Sequence, residues 1–321
     1  MSSRDDYLGT AMTTGWSVAG KLPEAVADRI FQLAATGIYR RRGGAVIQLA
    51  KNLRRVLPAT ATPETLAATV EAGVRSYARY WKETCRLDGM DIDTVYRRAL
   101  SGTTGMDAVE RAHAEGRGMI VALPHSGNWD IAGLMVSRHL GAITTVAERL
   151  RPDAMYRRFL AHRESLGMEV LPLTGGDAPV SGILKDRLRA GGIVCLIADR
   201  DLTRSGIPVT FFGEETRMPA GPAMLAALTG AELRAVHLSY TERDGSTPQG
   251  WRQVIGPAID LTGDRLRDTV YRATQMMADQ FAVHIARHPA DWHMMQPFWI
   301  ADLPAAERRE LSGAPMHRGA R

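Results

Sequence analysis

The chain has 321 residues, of which 45% are apolar and 23% charged, the composition of an ordinary globular protein. Disordered and fibrous classes are therefore excluded, and the length allows one large or two small domains with a buried core. The sequence contains no run of apolar residues long enough to span a bilayer as a helix. The formal net charge is +5, and arginine pairs and triplets account for the excess. A basic surface of this kind suits anionic partners such as phosphates or acidic lipids, although many arginine-rich proteins carry it without using it.

Cysteine usage and the start of the chain indicate the compartment. Cys85 and Cys195 match no metal-binding or disulfide spacing, which favours a reducing, cytosolic setting. The first residues show no cleavable signal pattern. Aromatic residues make up only 6% of the chain and no nucleic-acid motif occurs, so nucleic acid is not an expected partner. A monomer is expected.

The first hundred residues are predicted to be helical. Pro23 and Glu24 open one helix, which Gly43-Gly44 ends, and its apolar face is formed by Leu22, Val26, Ile30, Leu33, Ala34 and Ile38. A second helix begins near Pro63-Glu64, with an apolar face of Leu66, Val70, Val74, Tyr77 and Trp81. Such faces usually pack against a core. An amphipathic helix that ends in Arg40-Arg41-Arg42 is also suited to lie in a membrane interface, so docking on a membrane stays open.

From about residue 101, short β-rich runs alternate with helical stretches. Strands are predicted at Met119–Leu123, Ile143–Val146, Met168–Leu171, Ile193–Ile197, Val209–Phe212, Leu233–Ser239 and Arg252–Ile255. Helices are predicted at Asp130–His139, Pro152–Leu166, Pro179–Ala190, Pro219–Thr229 and Gly263–Arg287. This alternation is typical of an α/β fold with a central, mostly parallel sheet flanked by helices. The predicted organisation is an N-terminal helical segment (1–100), an α/β core (101–302) and a charged C-terminal tail (303–321).

The segment Val121-Ala-Leu-Pro-His125-Ser-Gly-Asn128-Trp-Asp130 carries the clearest signal of chemistry. Its apolar run ends at Pro124, so His125 is predicted at the carboxyl end of a strand, where open α/β sheets bind ligands. Asn128 is a good N-cap for the next helix, and Asp130 falls in the first turn, where free backbone N–H groups favour a carboxylate. We predict that Asp130 folds back on the imidazole, fixes one tautomer and stabilises the imidazolium. His125 would then act as a general base.

Two other uses of this histidine are weaker. Ser126 is adjacent, but the chain contains no Gly-x-Ser-x-Gly elbow, which argues against a serine hydrolase. A zinc site needs more ligands than His288 and His293 offer at their spacing, so no metal and no cofactor are expected. A base without a nucleophilic side chain beside it implies that the substrate brings its own hydroxyl group. The pattern therefore indicates direct group transfer onto an alcohol.

The stretch from His125 to Asp130 also resembles the histidine, four-residue, aspartate motif of the glycerolipid acyltransferase superfamily. Further blocks follow in order: Thr145-Val-Ala-Glu148-Arg149-Leu150, Tyr156-Arg-Arg-Phe159, Arg163-Glu-Ser-Leu-Gly167, Leu171-Pro-Leu-Thr-Gly-Gly176, Asp199-Arg200-Asp201-Leu-Thr-Arg204-Ser-Gly206, Phe211-Phe-Gly213, Arg217-Met-Pro-Ala-Gly-Pro222 and Pro289-Ala-Asp-Trp-His293-Met. Together they resemble the phosphatidylinositol mannoside acyltransferases, relatives of the lauroyl and myristoyl transferases of lipid A synthesis. The likeness runs from about Gly15 to Leu303.

The resemblance implies an enzyme that is peripheral to the cytoplasmic face of the cell membrane. Such enzymes move a fatty acyl group, typically palmitoyl, from coenzyme A to a phosphatidylinositol mannoside. The acceptor is the 6-hydroxyl of the mannose at inositol position 2. The implied partners are therefore acyl-CoA, the mannoside and the anionic inner leaflet.

The resemblance also implies site residues. The catalytic pair of the family falls on His125 and Asp130, and its polar groups around the sugar or the base fall on Glu148, Arg163, Asp199 and His293. The position of Asp199 is commonly glutamate in the family, and the shorter side chain could move the carboxylate about 1.5 Å from the sugar. Apart from the resemblance, Glu148 and Asp199 each precede an arginine and also fit plain ion pairs at strand ends.

Two rival functions follow from the same residues. A thioesterase-like hydrolase would use His125 to activate water, and it would release free fatty acid without an acylated acceptor. A non-catalytic lipid-binding or nucleic-acid-binding protein would use the basic surface instead, with salt-sensitive binding and no turnover of acyl-CoA.

Overall fold

The computed structural model describes residues 3–149, 151–175, 179–201, 205–242, 249–306 and 308. Five positions in the sequence blocks, Leu150, Gly176, Leu202, Thr203 and Arg204, lie outside these ranges. Most of the predicted charged tail also lies outside them. No helix in the described ranges is long and apolar enough to cross a bilayer.

The N-terminal segment is helical, as the sequence predicts. Its helices are α1 (Ser3–Lys21), α2 (Glu24–Arg41), α3 (Gly44–Val56), α4 (Pro63–Arg86) and α5 (Ile92–Ser101). Gly43 not only follows the end of α2 but is also the N-cap of α3, which the sequence reading did not foresee. Thr62 caps α4 by accepting a hydrogen bond from the backbone N–H of Thr65, and Pro63 follows at the first helical position.

The two apolar faces of this segment differ in burial. Along α4, Val70 and Val74 are buried against α2 and α3, so packing is the correct interpretation there. Along α2 the packing interpretation is wrong, because only Ala27 and Ala35 are buried. The larger side chains of the predicted face point to solvent, with exposed fractions of 44% for Val26, 47% for Ile30, 61% for Leu33 and 49% for Ile38.

The remaining described elements form a layered α/β fold with a mostly parallel central sheet, as predicted. The strands are β1 (Thr103–Thr104), β2 (Met119–Leu123), β3 (Ile143–Ala147), β4 (Met168–Pro172), β5 (Ile193–Ile197), β6 (Ile207–Phe211), β7 (Glu214–Met218), β8 (Glu232–Thr241) and β9 (Gly250–Ala258). Seven of them form one sheet in the order β1-β9-β8-β2-β5-β3-β4, in which only the β8–β9 pair is antiparallel. β6 and β7 form a separate hairpin.

Helices cover both faces of this sheet. They are α6 (Met106–Ala114), α7 (Trp129–Leu140), α8 (Asp153–Ser165), α9 (Val180–Arg189), α10 (Gly221–Thr229) and α11 (Leu266–Arg287). On one face α7 packs over the strands together with α5 and α6, and on the other face α9, α10 and α11 enclose a second core. The central strands β2 and β5 are covered on both sides, and they therefore appear in the sequence as short, continuous apolar runs.

Candidate active site

The register of two neighbouring strands brings the site residues to the same edge of the sheet. β2 and β5 are parallel and adjacent, and Leu123 at the end of β2 lies opposite Ile197 at the end of β5. The backbone N–H of Ala198 donates to the carbonyl of Leu123, 2.8 Å away, so the two chains leave the sheet side by side. His125 and Asp199 each follow their strand by two residues. They therefore meet at the carboxyl edge of the sheet, where open α/β folds bind ligands.

Asp199 holds His125 through two hydrogen bonds, one from the imidazole and one from the backbone. Its Oδ1 lies 2.6 Å from Nδ1 of the ring, and its Oδ2 accepts from the backbone N–H of His125 at 3.0 Å. Because a carboxylate only accepts, the proton lies on Nδ1 and the lone pair on Nε2. The side chain of Asp199 is fully buried, whereas that of His125 is 35% exposed. Asp199 thus orients the ring from its Nδ1 side, while the rest of the ring is accessible from outside. A general base has this arrangement.

The ionised form of Asp199 is favoured by its surroundings. Burial alone would raise the pKa of this carboxyl, but the nearby imidazole and three N–H donors outweigh it and hold the pKa below its usual value. The third donor is the indole Nε1 of Trp292, 2.9 Å from Oδ2. The shorter side chain at a position where glutamate is common in the resembling family therefore still reaches the ring.

The predicted contact between Asp130 and His125 is wrong. Asp130 lies in the first turn of α7, as expected, but its carboxylate accepts from Nε of Arg163 at 2.8 Å and from the hydroxyl of Tyr80 at 3.1 Å. The hydroxyl of Thr84 is at 3.5 Å. The helix turns this side chain inward, between α4 and α8, and the charge of the largely buried Arg163 holds it there. Asp130 therefore anchors the start of α7 instead of orienting the imidazole.

Arg163 is likewise part of this buried pair. Burial would lower the pKa of its guanidinium, but the charge of Asp130 and the hydrogen bonds to Asp130 and Tyr80 raise it above the ordinary value. The phenol of Tyr80 is affected in the same sense, since burial and then the charge of Asp130 raise its pKa. Arg163 is thereby held as a cation and Tyr80 as a neutral hydroxyl.

Helix α4 buttresses the loop that carries His125. Its Glu83 is buried and accepts from Nδ2 of Asn128 and from the indole Nε1 of Trp251, both at 2.9 Å. Asn128 in turn caps α7, because its side-chain oxygen accepts from the backbone N–H groups of Asp130 and Ile131. The sequence reading missed both Tyr80 and Glu83. These polar residues recur three and four positions apart on α4, a spacing that could have indicated a polar face beside the apolar one.

Gly127 is required by the turn between His125 and α7. Its φ is +55°, in the left-handed region, and a Cβ there would lie 2.8 Å from Cβ of Leu238 and 2.9 Å from its carbonyl carbon. Its neighbour Ser126 is fully buried, and its hydroxyl accepts from the backbone N–H of Leu238. Ser126 is thus a packing residue, in agreement with the absence of a nucleophile elbow.

His293 lies directly behind the loop, on the segment that follows α11. Its backbone N–H donates to the carbonyl of His125 at 2.7 Å, and its Nε2 lies 2.9 Å from the hydroxyl of Ser76. Ser76 has one proton and donates it to Asp291 at 2.7 Å, so Nε2 of His293 must donate and its Nδ1 holds a lone pair. Burial, and then the charge of His125, lowers the pKa of His293 to about 3. The residue is therefore a neutral imidazole near His125.

Glu148 is the one predicted site residue that stands apart from these contacts. It follows β3 directly at the carboxyl edge of the sheet, and its side chain is exposed. No hydrogen bond or ion pair within the described ranges engages its carboxylate. The plain ion pair with Arg149 that the sequence also allowed is not formed, because Arg149 pairs with Asp153 at 3.4 Å.

A cavity lies between α7 and the sheet, immediately below Trp129 and Asp130. Side chains from β9, β8, β2, β5, β3 and β4 form its floor. We call it the α7 cavity. Its lining is mostly apolar, and even its thiol, Cys195, remains protonated because burial raises the pKa to about 12. The ring of Trp129 lines the cavity and its centroid lies 6.0 Å from that of His125.

An imidazole with an open nitrogen lies at the edge of the α/β sheet beside a mostly apolar cavity, an arrangement that suits transfer of an acyl group onto a hydroxyl. The comparison with protein families agrees with this class. A family model described as bacterial lipid A biosynthesis acyltransferase matches residues 4–300, and the chain belongs to this family. It is an O-acyltransferase.

Curated relatives are similar over almost the whole chain. A phosphatidylinositol mannoside acyltransferase of Mycobacterium tuberculosis (strain CDC 1551 / Oshkosh) is 47% identical over 304 residues, which cover 94% of this chain and 91% of the relative. A phosphatidylinositol mannoside acyltransferase of Mycolicibacterium smegmatis is 47% identical over 300 residues, which cover 92% of this chain and 93% of the relative. The family predicted from the sequence blocks is thereby confirmed.

Proposed function

We propose that the protein transfers a fatty acyl group, typically palmitoyl, from acyl-CoA to a phosphatidylinositol mannoside. The acceptor is the 6-hydroxyl of the mannose at inositol position 2. The observation that carries the proposal is the open Nε2 of His125, fixed by Asp199 beside the α7 cavity. The names of the similar mycobacterial proteins support the choice of acceptor.

The residues of the site divide the transfer step between them. The mannose hydroxyl oxygen attacks the thioester carbonyl carbon while Nε2 of His125 takes the hydroxyl proton. Buried Asp199 stays ionised and stabilises the imidazolium that forms. The tetrahedral intermediate then collapses, the carbon–sulfur bond breaks, and the imidazolium gives its proton to the leaving thiolate. The products are the ester and free coenzyme A, and His125 returns to its neutral form.

The α7 cavity is suited to hold the acyl chain. Its floor crosses six neighbouring strands, and hydrocarbon is favoured there because the lining removes it from water. The polar groups for the acceptor lie outside it. Glu148 is exposed at the same edge of the sheet and is proposed to accept hydrogen bonds from sugar hydroxyls. Arg163 lines the cavity and is paired with Asp130.

The exposed face of α2 is proposed to dock the protein on the anionic inner leaflet of the cell membrane. Ile30, Leu33 and Ile38 form an apolar row, and Arg40, Arg41 and Arg42 follow at the end of the helix, all exposed. Apolar side chains enter the headgroup region while guanidinium groups attract acidic lipid. A peripheral enzyme held in this way would meet its lipid acceptor in the membrane plane.

Transfer is tested by incubating the purified protein with labelled palmitoyl-CoA and mannosylated phosphatidylinositol, and by locating the label with mass spectrometry. The proposal expects label on the mannose and its loss in folded His125→Ala. Near wild-type transfer by that variant would overturn the mechanism. Label on glycerol would overturn the acceptor, and free fatty acid without acylated mannoside would favour the hydrolase.

Docking is tested by flotation with vesicles of neutral lipid and of neutral lipid mixed with anionic lipid. We expect binding to the anionic vesicles and a marked loss of it in Leu33→Glu, which places a charge at the most exposed position of the row. The matched control is Gln32→Glu, which adds the same charge to an exposed neighbour outside the row. Equal binding by both variants would contradict docking through this face.

A further inference from the structure

The α7 cavity has two ends, one on each side of the site. The sheet order is β9-β8-β2-β5-β3-β4, and His125 stands above the end of β2. One arm of the cavity therefore runs under β8 to β9, and the other runs under β5 and β3 to β4. An acyl chain that starts at the thioester beside His125 must enter one of them. This choice rests on the proposed function.

The two arms differ in length. Neighbouring strands are about 4.8 Å apart, so the arm toward β4 covers three spacings, about 14 Å, and the arm toward β9 covers two, about 10 Å. The hydrocarbon core of a bilayer is about 30 Å thick and consists of two opposed leaflets, so one lipid acyl chain occupies about 15 Å. The distance from β2 to β4 is therefore close to the length of one membrane acyl chain.

The two arms also differ in polarity. The β9 end is lined by Gln253, whose side chain is buried with 3% exposure. Its amide nitrogen Nε2 has no hydrogen-bond partner among the residues that the structure describes. Hydrocarbon packed against this amide would leave a buried donor permanently unpaired, which is unfavourable. Gly133, Ile143 and Met168, at the β4 end, are apolar. The two charged residues that line the cavity, Asp130 and Arg163, are paired with each other.

One side chain closes the β4 end. Met168 is the first residue of the edge strand β4, and its thioether lies directly on the backbone of Gly133 in α7. A Cβ at position 133 would collide with Cε of Met168, lie 2.9 Å from its Sδ and lie 3.6 Å from Cδ1 of Ile143. Met168 is 6% exposed and lines the cavity at the edge strand of the sheet.

We propose that Met168, seated on Gly133, stops the methyl end of the acyl chain and thereby sets the chain length that the enzyme transfers. The glycine leaves space for the thioether, and the thioether occupies the space that a longer chain needs. Truncation of Met168 to alanine removes Cγ, Sδ and Cε, which gives room for about two methylene groups.

The test is the chain-length preference of the purified enzyme, measured as relative kcat/KM over saturated acyl-CoA thioesters of increasing even length. We expect the optimum of Met168→Ala to move to chains about two carbons longer than that of the wild type. Adding Gly133→Ala to this variant places a methyl group in the vacated space, and the optimum is expected to return toward the wild-type length.

Two matched variants separate this effect from general damage. Met106→Ala makes the same truncation at a buried methionine of α6 that does not line the cavity, and Ile255→Ala enlarges the opposite, β9 end. Neither is expected to move the optimum. An unchanged optimum in Met168→Ala, or a shift in Ile255→Ala, would overturn the proposal.

Direct binding measurements test the role of Met168 independently of the proposed transfer reaction. Affinities of the same enzymes for free fatty acids of increasing length, measured by calorimetry, do not require turnover. A length limit that moves with Met168→Ala supports the chain stop even if no mannoside is acylated. If Met168→Ala does not fold, Met168→Val makes a smaller opening, and an unmoved limit in that folded variant would also reject the proposal.

Discussion

Asp199 Oδ1 lies 2.6 Å from Nδ1 of His125, although the two residues are 74 positions apart in the chain. They meet because β2 and β5 are parallel neighbours with matching ends. The imidazole–carboxylate pair is therefore assembled from two strands rather than from one short motif. Asp130, which belongs to that motif, supports the helix start instead. The two carboxylates have separable effects, which two substitutions distinguish.

Asp199→Asn should abolish most of the activity while the protein stays folded. The amide keeps the shape of the side chain but removes the charge that stabilises the imidazolium, and its NH2 group favours the wrong tautomer of His125. By analogy with other carboxylate–histidine pairs, kcat should fall about 10³- to 10⁴-fold. Steady-state transfer kinetics measure it. Asp199→Glu restores a charge and is expected to be more active than Asp199→Asn; equal activity of the two variants would speak against this role.

Asp130→Asn should instead act mainly on stability. The substitution leaves the buried guanidinium of Arg163 without its partner, and breaking such a pair typically costs about 3–5 kcal/mol. Urea unfolding monitored by circular dichroism measures the change. The double variant Asp130→Leu/Arg163→Met removes both charges and is expected to regain part of the lost stability.

The control for this experiment is the exposed ion pair between Asp107 and Arg111 on α6. Asp107→Asn makes the same chemical change at the surface, and no measurable loss of stability is expected. An Asp130→Asn protein as stable as the wild type, with only kcat reduced, would return Asp130 to a direct catalytic role.

The sequence predicts buried strands better than exposed ones. β2 and β5 were predicted to the residue, because buried parallel strands are uninterrupted apolar runs. β7 was missed, since its Glu-Glu-Thr-Arg-Met pattern shows neither an apolar run nor a clean alternation. A strand that is fully buried, such as β2, is therefore easier to recognise from its residues than a partly exposed strand such as β7.

The partners of the site residues were not predictable in the same way. Both His125 and Asp199 were assigned to strand ends, but the strand order that brings them together depends on the packing of the whole sheet. Asp130 was assigned correctly to the first turn of α7, yet its partner Arg163 comes from another helix. A spacing of five residues could suggest a contact but could not show which way the helix turns the carboxylate.

Gly127→Ala should weaken both folding and activity. The alanine must adopt a positive φ and also meets Leu238, so the strain exceeds that of the backbone alone, and a loss of about 1–3 kcal/mol is expected. The turn carries His125, so kcat should fall as well. Thermal unfolding and transfer assays measure the two effects.

Gly116→Ala is the matched control for the turn. Gly116 has a similar φ of +66°, but an added Cβ would meet nothing within 4 Å. It reports the cost of the backbone conformation without the collision, and it should leave kcat unchanged. If the two alanine variants lose the same stability, the contact with Leu238 has no effect on folding.

The stability of the protein should decrease below neutral pH because of buried neutral histidines. His237, on β8, is 2% exposed, and neither of its ring nitrogens has a hydrogen-bond partner within the described ranges. Burial, followed by the charges of His284 and His288, lowers its pKa to about 3. In the unfolded chain the pKa of histidine is about 6.5. Between these two values the unfolded state binds a proton that the folded state does not, so stability is complete above about pH 6.5 and is lost as the pH falls.

His237→Leu should flatten this pH dependence. The variant removes one proton-linked group, so the slope of the unfolding free energy between about pH 5 and 6.5 should decrease by up to about 1.4 kcal/mol per pH unit. His293 remains and preserves part of the slope, because its pKa is also about 3. Urea unfolding across this pH range measures the effect, with His113→Leu at an exposed position of α6 as the control. A slope that is the same in His237→Leu and in the wild type would mean that His237 is able to take up a proton within the folded protein.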